Sequence, residues 1–274
     1  MAPRLRPVVD APALVIGEAP KATLVVADVH LGLGATRDRP GGPPEASAER
    51  LASDLADLAA REGVRRVLVA GDVKHPIVGT PPALRPFVFD FFGRLLEEGL
   101  DPAVVPGNHD VGLVRHLPRE VTLHPASGVV LDGVGVFHGH RWPSNSVLRS
   151  KAIVAGHLHP GFRLAPTTDD PDGKRRCWVR AELPPPPAPN RRRRRHAVLQ
   201  AREVVVLPAF NPLAGAEALN RERPKRGRSF LYRRFIGTGT ARAYLLDGTD
   251  LGLLPTNLPA GRGRGADRRS PPGQ

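Results

Sequence analysis

Five times between residues 23 and 159 a short apolar run stops at a cluster of histidine, aspartate or asparagine. Residues 23–27 (TLVVA) lead into Asp28 and His30, 66–70 (RVLVA) into Asp72, and 103–105 (AVV) into Asn108, His109 and Asp110. Residues 134–137 (VGVF) lead into His138 and His140, and 152–155 (AIVA) into His157 and His159. Runs this short and continuously apolar fit strands covered on both faces. Between the first two, residues 45–62 carry Leu51, Leu55 and Leu58 at helical spacing and stop at Gly63, which suits the left-handed residue after a helix. Between the second and third, the pattern predicts a helix capped by Thr80 and opened by Pro81 and Pro82, with Phe87, Phe91 and Leu95 on one stripe. Strand, helix, strand, helix, strand predicts an α/β fold with parallel crossovers. Beyond residue 120 helical patterning fades. Residues 121–123, 129–131, 177–181, 204–207 and 241–246 read as strands of a second, more antiparallel sheet packed on the first.

The strand ends carry the chemistry. Ligands at the carboxyl ends of adjacent parallel strands converge on one crevice. One aspartate after a strand is ordinarily a turn or a cap, and a lone His-x-His arises by chance. Five such clusters in order, four with a neighbouring glycine, are not explained that way. Imidazole, carboxylate and amide donors without thiolate suit manganese, iron or zinc better than soft ions.

Charge and composition locate a second feature. The chain of 274 residues has a net charge of +13, and +10 of it falls in residues 169–234. That quarter holds four consecutive prolines and the arginines 191–195, which repel one another and cannot build a core. Residues 184–196 therefore read as an exposed insertion within a single domain spanning 1–250, and residues 255–274 as a disordered tail. The basic segment can neutralise backbone phosphates of nucleic acid, or be a solvated insertion without a partner. The one cysteine, Cys177, excludes a disulfide framework and a multi-cysteine zinc site; it reads as a small strand hydrophobe. No run approaches the roughly 20 apolar residues of a membrane span, so the expectation is a soluble, cytoplasmic protein.

In order, the blocks ADVH, GD, GNHD, FHGH and GHLH resemble the calcineurin-like metallophosphoesterases, whose pattern is DxH, GD, GNH[DE], H and GHxH. The resemblance implies a four-layered α/β/β/α sandwich holding two divalent metals, with manganese first and iron or zinc as alternatives. One metal would take Asp28, His30 and His159; the other would take Asn108, His138 and His157, with Asp72 bridging. His109 would be the catalytic histidine and Asp110 the residue orienting it. FHGH offers two imidazoles; the resemblance puts the ligand at His138 and leaves His140 either to face substrate or to support a ligand from behind. Lys74 and His75 either reach phosphate or sit in a solvated loop, and Arg141 and Trp142 either grip phosphate and a base or pack on one another.

ADVHLG, GDVKH, the HGH block, GHLHP and LPAF (207–210) are further similar to predicted phosphoesterases that include the ligase-associated DNA damage response endonuclease, a DNA repair enzyme. The chain departs from them at 184–196 and at Ala216. The implied activity is phosphodiester hydrolysis by a metal-bridging hydroxide, with nucleic acid as substrate. The alternatives are a small nucleotide or other phosphoester as substrate, and a nucleic-acid-binding protein with a vestigial metal site.

Overall fold

The computed structural model describes residues 4–33, 44–166, 173–184, 199–221, 231–237 and 239–255. Apart from Pro184 and Pro255, the insertion at 184–196 and the tail at 255–274 lie outside the described residues. The first sheet has the order β1-β2-β3-β4-β5-β6, formed by β1 (Leu5–Pro7), β2 (Leu14–Ile16), β3 (Thr23–Val26), β4 (Arg66–Val69), β5 (Asp101–Val104) and β6 (Thr122–Leu123). From β3 to β6 it is parallel, with Val26 opposite Val69 and Val69 opposite Val104. The antiparallel strands β1 and β2 extend it at one edge.

Two crossover helices pack on this sheet. Helix α1 (Pro44–Arg61) buries Leu51, Leu55 and Leu58, and Gly63 follows at φ 64°, where an L side chain is disfavoured. Helix α2 (Arg85–Glu97) buries Val88, Phe91, Phe92 and Leu95. Its start differs from the expectation. A 3-10 turn at Pro82–Leu84 precedes it, the N-cap is Leu84, and Thr80 Oγ1 is buried without a hydrogen-bond partner. The two prolines fix φ but supply no donor, so the turn tightens before the α-helix begins.

The remaining elements are β7 (Val129–Leu131), β8 (Val134–Phe137), α3 (Asn145–Leu148), β9 (Ala152–Ala155), β10 (Pro160–Arg163), β11 (Lys174–Arg176), β12 (Trp178–Glu182), β13 (Glu203–Val206), β14 (Glu217–Ala218), β15 (Arg242–Tyr244) and β16 (Asp250–Leu253). The second sheet runs β16-β15-β12-β13-β9-β8-β7 and is parallel at β13–β9 and β9–β8 alone. A small third sheet joins β11, β10 and β14. Residues 134–137 and 152–155 thus belong to the second sheet, so the ligand-bearing strands are divided between two sheets rather than lined along one.

Three apolar cores hold these layers. Leu14, Val25 and Leu68 of the first sheet meet Val134, Val154 and Val205 of the second. The helices cover the outer side of the first sheet. On the outer side of the second, a π-helical turn at Tyr232–Ile236 buries Tyr232, Phe235 and Ile236 beside Cys177. Burial pushes the Cys177 thiol up to about 12, consistent with an inert core residue.

Candidate metal centre

The polar clusters follow the carboxyl ends of β3, β4, β5, β8 and β9, and the two sheets bring these ends together. Beyond the strands the loops stay zipped: the Asp28 amide donates to Gly71 O at 3.0 Å and the His30 amide to Asp72 O at 2.9 Å. Among the described residues seven non-glycine residues have positive φ, and five of them are Asp28, His30, Asp72, His157 and His159. A residue held in this sparsely populated region costs about 1–3 kcal/mol, so the tertiary structure imposes a conformation the local chain disfavours. The motif glycines make the approach possible. A Cβ on Gly71 would collide with the His138 ring, one on Gly107 with the Asp72 carboxylate, and one on Gly156 would sit 2.6 Å from Ala27 Cβ.

The donors form overlapping groups. Asp28, His30, Asp72 and His159 place ligand atoms within 4.8 Å of one another, as do Asp72, His138 and His157, so Asp72 belongs to both; His30, His75 and His109 form a third such group at the mouth of the cleft. His30 Nε2 lies 3.1 Å from His159 Nε2, His159 Nε2 lies 3.2 Å from Asp28 Oδ1, and His138 Nε2 lies 3.2 Å from Asp72 Oδ2. Asp28, His30, Asp72, His138 and His159 are all buried. The tautomers are set from behind: Nδ1–H of His138 donates to Ala70 O at 2.9 Å and that of His159 to Ala214 O at 3.3 Å, leaving both Nε2 atoms toward the cluster. Asn108 Oδ1 is buried without a hydrogen-bond partner, and His138 Nε2 faces only the Asp72 carboxylate. A buried amide oxygen without a donor, beside imidazole nitrogens and carboxylates that share one cluster, fits divalent cations.

The electrostatics are those of tightly coupled groups. Burial opposes ionisation of Asp72, but the hydrogen bond and charge of His138 outweigh it, and the carboxyl stays well below its ordinary range. Burial likewise opposes the Asp28 charge, and His159 and His138 reverse that to give a lowered value. Burial takes His30 down to about 3 against the pull of Asp28. His138 is depressed by burial yet raised further by Asp72, to about 9. Desolvation and the His138 charge bring His140 down to about 4.

Other sequence-predicted residues are placed differently. His140 joins none of the three groups, whereas His138 belongs to one; the His140 ring is 5.4 Å from His138 and 6.4 Å from His157. His75 lines the cleft with His30, Asn108, His109, His157 and His159 around about 440 Å³. The Lys74 ammonium is turned away from the cleft and donates to backbone carbonyls. Asp110 does not hold the His109 ring. It accepts the amides of Gly107 at 2.8 Å and Lys74 at 3.3 Å, while His109 Nδ1–H donates to His75 O, because the tight turn carries the Asp110 carboxylate back under its own backbone. The guanidinium over Trp142 is that of Arg234, 5.8 Å from the ring centroid, and Arg141 is exposed.

Sequence reasoning missed Asn211. Its side chain donates to Val29 O at 2.9 Å, bracing the Asp28–His30 loop, and its Oδ1 caps the turn at Pro212–Ala214. Asn before Pro after the LPAF run was the available signal.

These buried histidines and carboxylates form a cluster able to hold metal ions within a mixed α/β fold. No model of a protein family matches the sequence. Among solved structures, the fold is similar to the crystal structure of the Pseudomonas putida nuclease MPE, with a TM-score of 0.53 and 20% identity, covering 90% of this chain and 100% of that one. No described helix is long and apolar enough to cross a membrane.

Proposed function

We propose that the protein is a dinuclear metal-dependent phosphodiesterase acting on nucleic acid, of the calcineurin-like type, with its two sheets and flanking helices as the four-layered sandwich. The observation that carries this reading is that Asp72 is shared by two donor groups, one with Asp28, His30 and His159 and the other with His138 and His157. Asp28, His30 and His159 would hold one ion, Asn108, His138 and His157 the other, and Asp72 both. When bound, two such ions supply Lewis acidity, activation of water near neutral pH and neutralisation of phosphate charge. Manganese is the first choice for this donor set. The nuclease whose fold this one resembles supports a nucleic-acid substrate.

The protein's own residues then divide the work. Asp28 and Asp72 stay ionised and supply the negative charge that retains cations. His109 Nδ1–H is committed to the His75 carbonyl, so Nε2 is the atom available to protonate a departing alkoxide. His75 borders the cleft, His140 sits beside His138, and the exposed Arg141 follows it in the chain, so these three are the side chains assigned to meet substrate. The one-domain organisation over 1–250 and a cytoplasmic location accompany this reading.

The test is hydrolysis of bis-p-nitrophenyl phosphate, its monoester analogue, cyclic nucleotides, single-stranded DNA and duplex DNA, with manganese and with chelator. Manganese-dependent diester and DNA cleavage is expected. Cleavage of cyclic nucleotides alone would shift the assignment to a small substrate, and inactivity with full metal occupancy would leave a binding protein.

A further inference from the structure

Lys74 is wholly buried, at 0% exposure, beside a site that collects cations. An ammonium has three protons, and burial without acceptors is costly. Here they go to three backbone carbonyls: Pro76 O at 2.6 Å, Gly79 O at 2.8 Å, and His109 O. Two of these belong to the loop following β4 and the third to the turn after β5, so one side chain ties the two loops together. The Lys74 amide meets Asp110 Oδ1 at 3.3 Å, on the far side of the same turn.

The next residue faces the site from both of its ends. His75 O accepts Nδ1–H of His109, and the His75 ring puts Nδ1 at 3.4 Å from His30 Nδ1. A proton on Nδ1 of His109 leaves its Nε2 toward the cleft, 3.7 Å from Asp72 Oδ2. The His75–His30 contact likewise occupies Nδ1 of His30 and leaves its Nε2 to the donor group shared with His159.

We propose that Lys74 and His75 are the positioning unit of this site: Lys74 anchors the loop whose His75 carbonyl sets His109, and the His75 ring sets His30 as an Nε2 donor. Neither role requires contact with phosphate, and the Lys74 ammonium has its three donors engaged. The inference rests on the phosphodiesterase reading for its kinetic consequences but not for its geometry.

Wild type, Lys74→Met, Lys74→Gln, His75→Ala, His109→Ala and the double variant Lys74→Met/His109→Ala are compared in bis-p-nitrophenyl phosphate turnover and in manganese calorimetry. Lys74→Met should lower kcat by about 10–100-fold, as misplacement of a catalytic group does, with KM and manganese affinity changed less than about twofold. In the His109→Ala background the same substitution should cost less than about twofold, because it acts through a group already removed. His75→Ala should weaken manganese binding by about 10–100-fold while leaving the number of ions bound at saturation unchanged, the usual effect of losing a partner behind a ligand; loss of one bound ion would make His75 a ligand with His30 and His109 and overturn the positioning role. An equal fold-loss from Lys74→Met in both backgrounds, or a raised KM at constant kcat, overturns the Lys74 role; unchanged manganese affinity in His75→Ala overturns the His75 role. If Lys74→Met does not fold, Lys74→Gln, which keeps two amide donors, carries the same comparison. The Nδ1 proton of His109, followed by NMR in the metal-free protein, should be protected in wild type and lost in the Lys74 variant. That readout decides the positioning role even if wild type shows no manganese-dependent hydrolysis, a result that would fail the phosphodiesterase reading alone.

Discussion

Asp72 is the residue on which the two donor groups turn, and it differs in kind from His109 beside it. Its carboxylate accepts the His109 amide at 2.9 Å and lies 3.2 Å from His138 Nε2, so removing its charge takes from His138 the nearer of its two carboxylate partners, Asp28 being the other at 3.9 Å. Asp72→Asn is expected to lose manganese binding and activity together. His109→Ala should keep the metals and lose about 10²–10⁴-fold in turnover, the ordinary worth of a general acid. Metal content and turnover measured on both variants check the pair, and an emptied site in His109→Ala would make His109 a ligand. A pH dependence follows from His138. Its pKa near 9 means that the metal-free protein carries a proton there at neutral pH, and coordination must expel it. His30, at about 3, is already neutral and adds nothing over this range. Apparent manganese affinity should therefore rise with pH through the neutral range and level off above about 9. Calorimetry in buffers of different ionisation enthalpy would show the released proton; a flat profile from pH 6 to 9 would contradict the paired state of His138 and Asp72.

At the scale of elements, the strands set depth and the glycines set approach. Gly71, at φ 91°, follows β4 and lets the ring of His138 pass against the backbone. Gly71→Ala meets both a disfavoured conformation and a collision, so it should destabilise by more than about 1 kcal/mol and lower metal affinity. Denaturant unfolding with and without manganese separates the two effects, and a variant of unchanged midpoint would show that the two loops yield easily. Helix α2 offers a control within one turn. Phe91 is 1% exposed against the first sheet and Phe89 is 53% exposed. Phe91→Ala should cost about 3–5 kcal/mol, whereas Phe89→Ala should stay within about 0.5 kcal/mol. Equal costs would mean that the helix is rotated about its axis relative to this packing.

For the whole molecule, the consequential feature is that the proposed ligands and the basic segment occupy different stretches of the sequence. No proposed ligand lies within residues 184–196, yet this segment contributes five consecutive arginines to a chain of net charge +13. Each phosphate neutralised on duplex DNA steepens the log–log salt dependence of binding by about 0.9. Deleting residues 184–196 should weaken DNA binding and flatten that slope by several units while leaving turnover of bis-p-nitrophenyl phosphate nearly unchanged. Labelled-DNA binding across a salt series checks this. Equal slopes would make the arginines bystanders and favour a nucleotide-sized substrate.

The strand-end clusters were legible because a buried strand needs continuous apolar residues, and Asp28, Asp72 and His138 break that continuity where each strand ends. The crossover helices were legible for the same reason, in the stripe of Leu51, Leu55 and Leu58 and in the stop at Gly63. Short elements such as β1, β10, β14 and the π-helical turn were not, since two to five residues carry too little periodicity to read. Nor could local patterning assign 134–137 and 152–155 to a different sheet from 23–26, because that depends on which apolar faces meet across the inter-sheet core. The same limit applied at the site. Sequence alone determined which residues could carry the chemistry, but the tertiary structure decided that Lys74 turns to three carbonyls and that His109 leans on His75 rather than Asp110. Hydrogen-bond partners brought together by loops from separate strands are a property of packing, and spacing along the chain does not encode them.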